Sequence, residues 1–308
     1  MGLQGLLKPA VKEIGIMESL FGESTLEVWK WVTIFAFAVS FVIWLSGLRK
    51  GWIPSKGHVS GWDVPWMRFL LLLWLVLTLS VILPVTIFGL SGRMNGDESS
   101  DAVRLWKSFS LTIGMQVVMI AGLVGAGVFA GEWFPAVLSG MQGKERPARW
   151  IRTTILRFLQ FLPLVWLASM LVELAYNWLG IPVELQESVT MMMRIDDPLL
   201  WAVTACSAVV LAPLAEEPIC RGVVYRFLKF RFRPELAVVM SAAFFSIIHF
   251  DTTVLFPLFI LGMALALVYE ETGDIRAPIL FHAMFNLQTM GLILLDRFVL
   301  NAGSSLLP

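Results

Sequence analysis

The chain has 308 residues, 57% of them hydrophobic and 15% charged, with a mean hydropathy of +0.77. A soluble domain carries about a quarter charged residues, so the composition excludes an ordinary water-soluble enzyme. The formal net charge is zero, so nothing in it suggests nucleic acid, and none is expected as a partner.

Several apolar runs approach the roughly 20 residues that a helix needs to cross a bilayer. The sequence therefore predicts an all-α fold, a polytopic transmembrane helical bundle of about eight spans. Residues 1–30 mix charge with apolar residues and lack both a continuous apolar core and a small-residue cleavage site. They read as an amphipathic, juxtamembrane segment rather than a signal peptide, and the Ser or Thr that myristoylation needs at position 6 is missing. Spans are expected at about 31–48, 68–90, 109–130, 154–176, 199–215, 236–253, 255–271 and 278–296, with a continuation of the fifth to about 230 left open. The segment 91–108, "SGRMNGDESSDAVRLWKS", reads as a polar, turn-rich loop. This divides the chain into 1–30, a four-span region at 31–198, a core at 199–296 and a tail at 297–308. Cys206 and Cys220 lie too far apart along one helical stretch to form a disulfide.

Basic residues follow the odd-numbered spans: Arg49, Lys50 and Lys56, then Lys144, Arg146, Arg149 and Arg152, then Arg226, Lys229, Arg231 and Arg233. The segment 181–198 is acidic instead, with Glu184, Glu187, Asp196 and Asp197 against Arg194. The positive-inside rule places the basic loops in the cytoplasm and both termini outside. Trp29, Trp31, Trp62, Trp66 and Trp201 sit near span ends, where interfacial anchors are found.

Ionisable groups at membrane depth are costly and mark functional sites by default. The last hundred residues concentrate them. Glu216, Glu217 and Arg221 lie in "LAPLAEEPICRG", His249 closes "SIIHF", and His282 and Asn286 lie in "LFHAMFNL". Glu217 with Arg221, Phe245 with His249, and His282 with Asn286 are all four apart, so each pair shares a helix face. Glu216 and His249 flank the basic turn "KFRFRPE" almost symmetrically, so antiparallel helices would bring them to one depth. His282 sits too near the turn "ETGDIRAP" to reach that depth unless the turn dips into the bundle or the fifth span breaks near Pro218. Pro213 and Pro218 cannot donate to the carbonyls of Val209 and Leu214, so a bend is expected around the glutamates.

A poorly solvated carboxylate suits a general base, a histidine can share or orient water, and a second histidine with an asparagine amide can stabilise an oxyanion. That set fits hydrolysis of an acyl compound, most naturally a peptide bond near the membrane surface. Glu216, His249 and His282 equally suit a divalent metal such as zinc with one open position, although no HExxH pair is present. Two other readings are a transporter using these groups as a proton relay and a non-catalytic scaffold or immunity protein. Glu217 and Arg221 are expected to pair within the helix and support the site. Asp251, Glu270, Glu271 and Asp274, at span ends, are expected to be solvated, whereas Glu173 is expected to line the interior or pair there. Gly262 and Ala266 predict a close helix contact.

The motifs EExxxR (Glu216, Glu217, Arg221), FxxxH (Phe245, His249) and HxxxN (His282, Asn286) occur in this order on apolar stretches across residues 199–296. The set resembles the CAAX protease and bacteriocin-processing (CPBP, or Abi) family of intramembrane endopeptidases, which includes the type II CAAX prenyl proteases. The resemblance implies a bundle commonly of eight spans. It also implies water activated by Glu216 with His249, an oxyanion held by His282 and Asn286, and no catalytic metal or other cofactor. Glu217, Arg221 and Phe245 support the site. Pro218 stands where the family usually has an apolar residue. The implied partners are the lipid bilayer and a peptide or protein substrate, lipidated or membrane-embedded, in a prokaryotic cell membrane. The resemblance leaves open whether prenylated CAAX tails, bacteriocin leaders or other membrane proteins are cut.

Overall fold

The computed structural model describes residues 38, 42, 58–78, 82, 86, 101–130, 147–182, 187–193 and 195–295. The N-terminal segment, the tail, nearly all of the span expected at 31–48 and most of the second half of that at 68–90 lie outside the described residues. Among the described residues the fold is all-helical, without a strand. In chain order the helices are α1 (Trp66–Leu77), α2 (Asp101–Ala130), α3 (Pro147–Leu179), α4 (Glu187–Met193), α5 (Pro198–Arg231), α6 (Pro234–Ile247), α7 (Leu255–Thr272) and α8 (Arg276–Leu295). Four stretches among them are long and apolar enough to cross a membrane: Arg149–Leu179, Pro198–Arg231, Leu255–Thr272 and Arg276–Leu294. Trp66–Leu77, Phe109–Leu123 and Pro234–Ile247 are apolar but shorter.

The boundaries differ from the expected spans in three informative places. α2 starts at Asp101, inside the segment read as a loop. No Gly or Pro interrupts the chain from 101 to 113, so the helix extends through the polar residues. α6 ends at Ile247 rather than 253. Its 14 residues rise about 21 Å, less than the ~30 Å hydrocarbon core, so it is too short to cross alone. α5 runs without a break from Pro198 to Arg231. Asp197 caps it, accepting from Leu199 N at 2.8 Å and Leu200 N at 3.3 Å. The two prolines do not end the helix. The lost donors are absorbed in two wide π turns, Ser207–Leu211 just before Pro213 and Pro218–Tyr225 opening on the second proline.

α7 is the most buried of the long helices, with Leu261, Ala264, Leu265, Ala266 and Val268 enclosed. Small residues make this possible. A Cβ on Gly262 would stand 2.9 Å from Ala242 Cα, so glycine alone lets α6 and α7 approach this closely. Gly262 and Ala266 thus play the packing role expected of them.

The segment before α1 straps α5 to α7. Trp62 N donates to Arg226 O at 2.9 Å, His58 N to Glu270 O at 3.1 Å, and Lys229 Nζ to Val59 O at 2.7 Å. Glu270 lies beneath this strap, 1% exposed, and accepts from Tyr225 Oη at 2.7 Å and from Lys229. Asp274 is equally buried and accepts from Arg276 N, Nε and Nη2. Both acids therefore depart from the expectation of solvation. Position at a span end does not expose a carboxylate when a neighbouring segment folds over it and supplies cations and a phenol. Glu271 pairs with Arg157 at 2.7 Å, tying α7 to α3, and Asp251 accepts from Thr253 within its own turn. Glu173 shows the opposite error: it lies on the exposed face of α3 and does not line the interior.

Candidate active site

Glu216, Glu217 and Arg221 come from α5, Phe245 from α6, His249 from just past its end, and His282 and Asn286 from α8. α5 and α6 are antiparallel about the basic turn, and their two arms bring Glu216 and His249 together. His249 Nε2 lies 3.9 Å from Glu216 Oε2, and the two side chains are 22% and 21% exposed. The ring is fixed from behind: His249 Nδ1 lies 2.7 Å from the Phe245 carbonyl oxygen, which can only accept. Nδ1 therefore carries the proton, and in the neutral ring Nε2 presents a lone pair toward Glu216. Glu216 Oε2 has no protein hydrogen-bond partner.

Behind this half-open pair lies a closed one. Glu217 and Arg221 are both 0% exposed, and Arg221 Nη1 donates to Glu217 Oε1 at 3.1 Å. The i,i+4 face predicted from spacing survives the intervening π turn. Arg221 Nη2 donates to Gly262 O on α7 at 3.0 Å, and the guanidinium lies 4.5 Å from the Phe245 ring centroid. Phe245 also stands edge-on to both imidazoles, at 4.9 Å from His249 and 5.6 Å from His282. It separates the open pair from the closed one and holds both rings in place.

His282 reaches the site because the α7–α8 turn is buried, not because α5 breaks. Ile275 and Ala277 are fully enclosed, and Gly273 adopts φ +65°, where a Cβ would stand 2.8 Å from that of His58. His282 Nδ1 then lies 2.9 Å from Glu217 Oε1. Against a carboxylate this nitrogen donates, leaving Nε2 as the free face of the ring. Asn286, one turn on, donates from Nδ2 to the Ala208 carbonyl on α5 at 2.7 Å, which leaves one amide hydrogen uncommitted.

The predicted residues thus form two linked groups, Glu216 with His249 and Glu217 with Arg221 and His282, with Asn286 of α8 bonded to the Ala208 carbonyl of α5. Among the described residues no set of three or more His, Cys, Asp or Glu side chains stands where it could hold a metal ion. His282, the third candidate ligand beside Glu216 and His249, has its Nδ1 against Glu217 Oε1. Residues 198–288 match the family model described as type II CAAX prenyl endopeptidase Rce1-like. This part of the chain is similar to that family. The match spans the three motifs from Glu216 to Asn286 and agrees with the resemblance drawn from them. No curated protein and no solved structure matches the chain.

Three contributors were not singled out from sequence: Gly262 as the carbonyl that accepts from Arg221, Ala208 as the one that accepts from Asn286, and Gln116, described below. The backbone acceptors leave no side-chain signal. Gln116 does leave one, as a lone amide in "LTIGMQVVMIAGL".

Proposed function

We propose that the chain is an intramembrane endopeptidase that hydrolyses a peptide bond of a membrane-associated protein or peptide without a catalytic metal. The observation that carries this is the Glu216 Oε2 atom, free of protein partners and 3.9 Å from the lone-pair face of His249. A water shared by these two groups gives one proton to Glu216 as its oxygen attacks the carbonyl carbon. The carbonyl oxygen gains the negative charge, which the free amide hydrogen of Asn286 and the Nε2–H of His282 in its imidazolium form stabilise. Collapse breaks the C–N bond, and Glu216 returns the proton to the leaving amine, so the products are a carboxylic acid and an amine; the acid then passes its proton to the amine, giving a carboxylate and an ammonium. Glu217 accepts from both Arg221 and His282, which orients the ring without its taking part in proton transfer.

The description of the matched family points to prenylated CAAX tails as the substrate class to try first. A quenched fluorescent peptide ending in a farnesylated CAAX sequence, and the same peptide without the farnesyl group, test this with purified protein. The reading expects cleavage of the farnesylated peptide, unchanged after exhaustive chelation with 1,10-phenanthroline and EDTA. Loss of activity on chelation, restored by zinc, would replace the glutamate mechanism with a metal-dependent one.

A further inference from the structure

Gln116 stands in the apolar middle of α2, buried, and accepts a 2.6 Å hydrogen bond from the Ser207 hydroxyl on α5. Ser207 opens the first π turn. There the N–H of Ala212 bonds to Ser207 O, five residues back, and so leaves Ala208 O, its α-helical acceptor, unused. The corresponding π donor to Ala208 O would be residue 213, which is proline and has no N–H. The Ala208 carbonyl thus loses both of its helical donors, and Asn286 Nδ2 takes their place at 2.7 Å. A carbonyl freed at membrane depth needs such a partner.

We infer that Gln116 is a positioning residue for Asn286, acting through Ser207 and the freed carbonyl of Ala208. The inference rests on the reading of Asn286 as part of the hydrolytic site. Holding the Ser207 hydroxyl across the helix interface pins this turn of α5 in its π register. Without that hold, Ser207 can turn its hydroxyl to a carbonyl of its own helix, and Ala212 N–H can return to Ala208 O and displace the asparagine. The N-terminal half of the chain, where no motif was read, thereby reaches the site through one amide.

The test is steady-state kinetics on the farnesylated quenched peptide. Gln116→Leu and Ser207→Ala are each expected to lower kcat about five- to tenfold with KM unchanged, while Ser207→Thr, which keeps the hydroxyl, stays within twofold of the parent. In an Asn286→Ala background, adding Gln116→Leu is expected to cause no further loss. An equal loss in both backgrounds, or a loss that appears in KM, would mean general packing and overturn the inference. If Asn286→Ala is impaired but Gln116→Leu is fully active, the inference alone falls. If Asn286→Ala is itself fully active, the reading of the site falls first. Ser207→Ala removes a single oxygen and carries the same test should Gln116→Leu fail to fold.

Discussion

Glu216 and Glu217 are adjacent, yet their environments are opposite: Glu216 is part-exposed with an oxygen free of protein hydrogen bonds, and Glu217 is fully buried. Glu217 is sealed between Arg221 and His282, and removing Arg221 strands a buried carboxylate. Arg221→Ala is expected to destabilise the protein by about 3–5 kcal/mol, measured by denaturant unfolding in detergent. Glu216→Gln, at a partly exposed position, should leave the unfolding midpoint within about 1 kcal/mol of the parent while removing activity. Phe250, directly after His249, is a second case of residue-level tension: it has φ +52° and is 82% exposed. A bulky side chain in that backbone region is disfavoured. Phe250→Gly should therefore raise stability by about 1 kcal/mol in the same assay. The pairings within each motif were legible from four-residue spacing. The bond from Glu217 to His282 was not, because it joins residues on helices three elements apart. Glu270 and Asp274 were misjudged for a related reason, since their partners come from the strap, from α5 and from the turn beyond.

At the scale of the element, proline shifted the helical register of α5 without breaking it. The sequence shows the missing donors at Pro213 and Pro218 but not how the deficit is absorbed. That depends on whether a neighbouring helix can supply a donor to the freed carbonyl, and α8 does so with Asn286. The buried α7–α8 turn follows a similar rule. Gly273 and the Asp274–Arg276 pair allow the chain to reverse inside the protein rather than in solvent. That Gly262 and Ala266 form a helix-packing face was legible from their four-residue spacing, but that the partner is Ala242 on α6 was not. Gly262→Ala would drive a methyl to 2.9 Å from Ala242 Cα and push the helices apart. The expected cost is about 1–3 kcal/mol, with activity falling too because the Gly262 carbonyl accepts from Arg221.

For the whole molecule, the core of four long apolar stretches was legible because hydropathy and the need to satisfy backbone groups internally act over whole spans. The side of the membrane rests on charge alone: Arg226, Lys229, Arg231 and Arg233 cluster at the α5–α6 turn. Arg233, with its side chain 87% exposed, is a suitable reporter. Arg233→Cys in a Cys206→Ser background should react with a membrane-impermeant maleimide in inverted vesicles and not in right-side-out ones. The reverse pattern would invert the topology. All of these features converge on one chemical claim, that Glu216 and His249 together activate water. The most direct test is the cleavage rate of the farnesylated quenched peptide by Glu216→Gln and His249→Ala proteins whose unfolding midpoints match the parent. A loss of at least about a hundredfold in kcat for each is the predicted result. Parent-level cleavage by either folded variant would contradict it.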